Sequence, residues 1–396
     1  MGGKLAKVRA RRIETIAQRH CEAGNFASVE WLVMRDGREW LRGRAGMADP
    51  HNGVALPKKP IYRLYSMTKP VISAIALMLV EEGRLRLYEP VAAYLPAFAR
   101  PTIINEDGST QRATRPMLVE HLFTHMAGLS YGFLRKCKAG EFYRRTDLAH
   151  TAGPLAQMID VIAQQPLAFE PGTAWRYSVA TDVLARIIEV VTGQPIQQVM
   201  AERVTRPLGL KDTGYMVAEG ARDRLVPAFG TQSLDEIMVF GEGPQKLTPV
   251  DVSDVYPVSD ENFGRGGYGL YSTIDEYRVI ADFLATGRNP EGDVLLGRKT
   301  VEMMWANRVP QSMLPLKLDD IVMPGFGFSL AGRVMLDPGQ SWCLTSQGEC
   351  GWAGAASTWF FIDPREKLVG LVMSQYLGSK IPLADDMRNA IYSMLD

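Results

Sequence analysis

Residues 61–83 read IYRLYSMTKPVISAIALMLVEEG: a short apolar stretch, a Ser-x-x-Lys and then an almost unbroken apolar run. The stretch from about Ile61 to Tyr65 predicts a short strand that leads directly into Ser66. Pro70 to Leu85 predicts a helix that is apolar nearly all round, and such a helix is buried on most faces. Residues three apart share a helix face, so the Ser66 hydroxyl and the Lys69 amine can approach one another. The N-terminus of the helix adds a partial positive potential that favours an alkoxide. The apolar helix beside it desolvates Lys69 and lets its amine serve as a base. No second Ser-x-x-Lys occurs in the 396 residues. About one match is expected by chance in a chain of this length, so the position before a buried helix is what carries the signal.

Working outward, SVEWLVMR (28–35) and REWLRGRAG (38–46) alternate apolar and polar residues around Asp36-Gly37, the pattern of a β-hairpin. From Ser66 to about residue 320 the sequence predicts mostly helices broken by Pro- and Gly-containing loops. The clearest is SVATDVLARIIEVVTG (178–193), with Val179, Val183, Leu184, Ile187, Ile188 and Val191 at helical spacing and Gly193 as its stop. Period two returns near the C-terminus: FGFSLAGRVM (326–335), STWFFID (357–363) and LVGLVMSQ (368–375) predict strands, and PLADDMRNAIYSML (382–395) a final helix. Strands at both ends with helices between predict an α+β fold: one antiparallel sheet assembled from residues 1–65 and 321–396, flanked by helices, with a mostly helical unit over 66–320. Ser66 falls at their junction, where ligand clefts usually form.

Two further motifs stand in order behind the first. Tyr177-Ser178-Val179 opens the helix just described, after Pro171-Gly172-Thr173-Ala174-Trp175-Arg176. Gly351-Trp352-Ala353-Gly354-Ala355-Ala356 forms a small-residue turn directly before the strand at 357–363. Together the three motifs resemble the serine β-lactamase and penicillin-binding protein superfamily, most of all class C β-lactamases and the family VIII carboxylesterases. LFTHMAGL, PLGLKDTGY, GGYGLYSTIDEY and GRKTVEMM are similar to that family's connecting segments, so the likeness runs from about residue 25 to the C-terminus.

The resemblance implies a β-lactamase-like fold and a set of roles. Ser66 is the expected nucleophile, with Lys69 and Tyr177 sharing the proton transfers. The backbone N–H groups of Ser66 and Ala355 form the expected oxyanion hole, such donors contributing about 3 to 4 kcal/mol each. Trp352, Gly354, Val179 and Tyr131 are the expected substrate contacts. Two departures bear on the substrate. The superfamily's third motif usually begins with Lys or His where this chain has Trp352, and its second carries Asn where this chain has Val179. A cation that would hold a carboxylate and an amide that would hold an acylamino group are both gone. Trp-Ala-Gly resembles the Trp-Gly-Gly of the esterase relatives.

Lys plus Arg and Asp plus Glu each number 44, giving a net charge of zero. No basic excess or stripe favours a nucleic-acid partner, and no apolar run is long enough to cross a bilayer. The four cysteines (Cys21, Cys137, Cys343, Cys350) match no zinc or redox spacing and read as free thiols, with Cys343–Cys350 the one pairing considered. The basic N-terminal segment (1–20) lacks the apolar core of a secretion signal, so the cytoplasm is the expected address. His121 and His125 lack the Glu of H-E-x-x-H and read as capping or core residues. Lys299-Thr300-Val301 continues into a helix and is rejected as a third motif. No G-x-S-x-G appears, which disfavours an α/β-hydrolase triad. The expectation is a serine carboxylesterase of short-chain or small neutral esters, needing no cofactor or metal, with little β-lactamase activity. An acyltransferase, a β-lactamase or D-aminopeptidase-type amide hydrolase, and an acylated sensor or scaffold are the alternatives.

Overall fold

The computed structural model describes residues 2–146, 148, 153–239 and 244–395, residues 2–10 by their backbone alone. The predicted hairpin forms from β1 (Ser28–Arg35) and β2 (Arg38–Gly46). Its turn needs left-handed backbone at both central residues, and Asp36 and Gly37 supply it with φ of 51° and 72°. Five late strands complete the sheet: β3 (Phe326–Phe328), β4 (Arg333–Met335), β5 (Cys350–Gly354), β6 (Thr358–Asp363) and β7 (Leu368–Met373). Their order is β3-β4-β5-β6-β7-β1-β2, antiparallel throughout. The two chain ends meet where β1 pairs with β7, Leu32 opposite Leu371.

Alternation along β6 assigns the two faces. Phe361 and Trp359 point to a layer made by helix α1 (Gly2–Glu22) and helix α5 (Leu383–Tyr392), through Ile13, Ala17, Met387 and Ile391. Phe360 points the other way, onto Tyr277 of helix α4 (Ile274–Thr286) with ring centroids 5.3 Å apart. Both phenylalanines are fully buried, and cutting either to Ala removes on the order of 3 to 5 kcal/mol. Helix α2 (Thr68–Glu81) runs through the main core and packs on helix α3 (Ala180–Thr192), which Gly193 stops in the left-handed conformation at φ 74°. The fold is α+β: one antiparallel sheet with helices packed on both faces.

Three local expectations are corrected. The stretch 61–65 is not a full strand. Only Tyr62–Arg63 is extended, and it pairs with Tyr271–Ser272 outside the main sheet, because Tyr65 turns to φ 47°. FGFSLAGRVM is a hairpin rather than one strand: the Ser329 hydroxyl oxygen accepts from the N–H groups of Ala331 and Gly332 and closes a turn between β3 and β4. The third motif is not a turn before a strand but strand β5 itself, with the turn falling after Gly354.

Candidate active site

Ser66 sits in the single tight turn (Tyr65–Met67) that joins the short strand to α2. Neighbours on every side hold that turn. The Leu64 N–H donates to the Leu270 carbonyl at 2.9 Å, and the Tyr277 hydroxyl donates to the Met67 carbonyl at 2.8 Å. The Gln375 side chain brackets Arg63, accepting from its N–H at 3.0 Å and donating to its carbonyl at 3.1 Å. A non-glycine residue at positive φ costs about 1 to 3 kcal/mol and persists only where its surroundings over-determine it. Tyr65 is buried among such constraints. Strand β5 reaches the same turn because Gly354 carries no side chain: a Cβ there would lie 2.2 Å from the Leu64 carbonyl oxygen and 2.3 Å from Thr358 Oγ1.

One helical turn on, Lys69 is buried with its Nζ 3.1 Å from Ser66 Oγ and 2.7 Å from the carbonyl oxygen of Gly267, to which it donates. The ammonium also lies over two rings, 4.9 Å from the centroid of Tyr177 and 5.3 Å from that of Tyr131. A desolvated cation over aromatic faces is held by about 2 kcal/mol.

Tyr177 stands one turn before α3, and its hydroxyl oxygen accepts from Trp352 Nε1 at 3.1 Å. Its ring is packed by His125 and Tyr131, with centroids 4.7 Å and 5.3 Å away. His125 is fully enclosed, and burial together with the charge of Lys69 pushes its pKa well below the usual value, so its imidazole is neutral. Its Nδ1 shares a hydrogen with Ser178 Oγ across 3.2 Å. His121 does the capping work expected of it, its Nδ1 accepting from the Leu118 N–H at 3.2 Å.

These residues open into a cavity of about 490 Å³, within the range that encloses a drug-sized ligand. Ser66, Tyr131, Tyr177, Val179, Trp352, Gly354 and Ala355 all line it, so the structure brings every predicted site residue except buried Lys69 to its wall. Most of the remaining wall is apolar, including Phe133, Met158, Ile237, Ile321 and Met323. Sequence reading missed His125 as the support of Tyr177, Gly267 as the acceptor for Lys69, and Asp182. An Asp three residues after Val179, on the stripe that α3 buries, was the available signal for the last. Among the described residues no group of His, Cys, Asp or Glu is arranged to hold a metal ion, and all four cysteines are unpaired. No described helix is long and apolar enough to cross a membrane.

The family model described as Beta-lactamase matches residues 13–392. This chain belongs to the beta-lactamase family. Esterase EstB of Burkholderia gladioli is 28% identical over 400 residues, covering 97% of this chain and 95% of its own. An uncharacterized protein of Mycobacterium tuberculosis is 30% identical over 368 residues, 90% of this chain and 87% of its own. Among solved structures, EstCE1, a hydrolase with promiscuous acyltransferase activity, superposes with a TM-score of 0.81 at 26% identity, covering 98% of this chain and 99% of its own. A penicillin-binding protein homolog from Caulobacter crescentus shares the fold of this beta-lactamase family chain at TM-score 0.70 and 19% identity, covering 98% of both chains.

Proposed function

We propose that this beta-lactamase family protein is a serine carboxylesterase that acts on short-chain or small neutral esters through an acyl-enzyme on Ser66. The observation that carries this reading is the 3.1 Å contact between Lys69 Nζ and Ser66 Oγ at the wall of a mostly apolar cavity. Ser66 Oγ attacks the ester carbonyl while its proton passes to the Lys69–Tyr177 pair. The N–H groups of Ser66 and Ala355 receive the oxyanion, and the alcohol leaves with the proton. Water, activated by the same pair, then releases the acid and restores Ser66. The reading needs no metal or cofactor.

EstB and EstCE1 support ester chemistry on this fold. The promiscuous acyltransferase activity of EstCE1 also favours a second reading, in which an alcohol replaces water as acceptor and the protein is an acyltransferase. The test is a panel of p-nitrophenyl esters beside a chromogenic cephalosporin, with and without added alcohol, on wild type and Ser66→Ala. Steady ester turnover that disappears in Ser66→Ala is expected. A single burst with no turnover identifies an acylated sensor instead, and activity that survives in Ser66→Ala rejects the assignment.

A further inference from the structure

Asp182 has no place in the steps above, yet it lies at their centre. It sits in the first turn of α3 with no solvent exposure. Its Oδ1 accepts from the N–H groups of both Gly266 and Gly267, each at 2.9 Å. Its Oδ2 has no hydrogen-bond partner among the described residues. The orphan oxygen is not facing apolar wall. A Cβ built on Gly267 would lie 2.6 Å from Asp182 Oδ2, 3.0 Å from the Tyr131 hydroxyl and 3.2 Å from Lys69 Nζ. Carboxylate, phenol and ammonium therefore crowd one side of a single glycine, which has room for no side chain.

We propose that Asp182 is a positioning residue that holds Lys69 in place, as a cation, beside Ser66. Two features of the carboxylate do this. Oδ1 pins the Gly266–Gly267 backbone, and the Gly267 carbonyl it presents accepts from Lys69 at 2.7 Å. Oδ2 sets a carboxylate oxygen toward the buried Lys69 amine, where opposite charges favour one another's ionised form. Burial raises the Asp182 carboxyl above its ordinary value, and Lys69, the two glycine N–H groups and Arg265 oppose that rise without cancelling it. The polar and titratable groups around the pair are Ser66 in the turn before α2, Tyr177 at the head of α3, His125 and Tyr131 from the preceding loop, Arg265 and Tyr268 from the glycine turn, and Tyr215 behind it.

This inference rests on the acyl-transfer reading, and its test separates the two.

The test is Asp182→Asn, in which the amide oxygen can still accept from the two glycines while the charge is lost. Labelling of Ser66 by a fluorophosphonate in wild type checks the underlying reading. In Asp182→Asn, kcat should fall at least tenfold with KM little changed, and the alkaline limb of kcat/KM should move down by about one pH unit or more. An unchanged profile with wild-type kcat overturns the proposal. So does a gain in activity at neutral pH, since that is the result expected if neutral Lys69 were the base. If Asp182→Asn does not fold, Asp182→Asn with Lys69→Met should fold, because the pair is then removed together. A double variant no more stable than the single one overturns the charge pairing.

Discussion

The indole Nε1 of Trp352 donates to the hydroxyl oxygen of Tyr177 across 3.1 Å, with the two rings 5.2 Å apart at 49°. The residue that replaces the superfamily's cation thus spends its one polar hydrogen on the proposed base and turns its ring to the cavity. A donor aimed at a developing or full phenolate contributes about 1.5 to 3 kcal/mol. Trp352→Phe keeps the ring and loses the donor, so kcat should fall by about tenfold or more. Stopped-flow acylation by p-nitrophenyl acetate checks this; an unchanged rate would mean the contact has no part in catalysis.

The hairpin at Asp36-Gly37 and the helix stopped by Gly193 were both legible in the sequence, because each follows from local period and turn chemistry. The sheet order was not. That both chain ends build one sheet was expected, but which strands meet, with β7 beside β1, depends on packing both termini against one core, which no local pattern states. The breaks at Tyr65 and Ser329 were missed for another reason. A bulky residue at φ 47° and a hydroxyl that caps a turn both look like ordinary strand residues in a list of letters. In the site, the groups that hold Lys69, Gly267 and Asp182, come from elements far apart in sequence, so only the three motif positions and Tyr131 were visible beforehand.

Tyr177→Phe should lower kcat by roughly 10² to 10⁴, the span of a positioned proton-transfer group. Its ring stays packed by His125 and Tyr131, so the melting temperature should change little. Near wild-type kcat on an activated ester would place the base elsewhere.

Gly354→Ala tests whether β5 must touch the Ser66 turn. The added methyl meets the Leu64 carbonyl oxygen at 2.2 Å, and that backbone is itself held by Leu270. Overpacking of this kind costs about 1 to 3 kcal/mol. Thermal melts should show the loss, and fluorophosphonate labelling should slow as Ala355 moves away from Ser66. Wild-type labelling in a destabilised protein would confine Gly354 to a packing role.

Glu30 on β1 sets a pH dependence of stability. Burial raises its carboxyl from 4.5 to about 7, against a hydrogen bond from the Tyr62 hydroxyl at 3.1 Å and the charge of Arg42. A folded-state pKa above the unfolded one gives stability that is complete below about pH 4.5 and lost as pH rises through 7. The loss is on the order of 3 kcal/mol. Glu30→Gln can still accept from Tyr62 and has no charge to bury. It should melt above wild type at pH 8 and show no such advantage at pH 4.5; parallel melting curves across that interval would count against the assignment.

Short-chain neutral esters should be turned over far better than β-lactams or D-Ala peptides. Val179 is buried at the head of α3 and lines the cavity where the superfamily presents an amide, and Trp352 lines it where the superfamily presents a cation. An anionic, amide-bearing substrate finds neither partner at those two positions. The missing contacts should cost a β-lactam on the order of 3 to 5 kcal/mol, several hundred-fold or more in kcat/KM. A neutral ester loses nothing by their absence and gains apolar contact with the indole and the ring of Phe133. Trp352→Lys restores the cation, and it should raise the lactam-to-ester ratio even as the lost indole slows both reactions. Two measurements decide the matter: kcat/KM for p-nitrophenyl butyrate against a chromogenic cephalosporin in wild type, and the same ratio in Trp352→Lys. Equal values in the first, or an unmoved ratio in the second, would show that substrate is held by groups other than Trp352 and Val179.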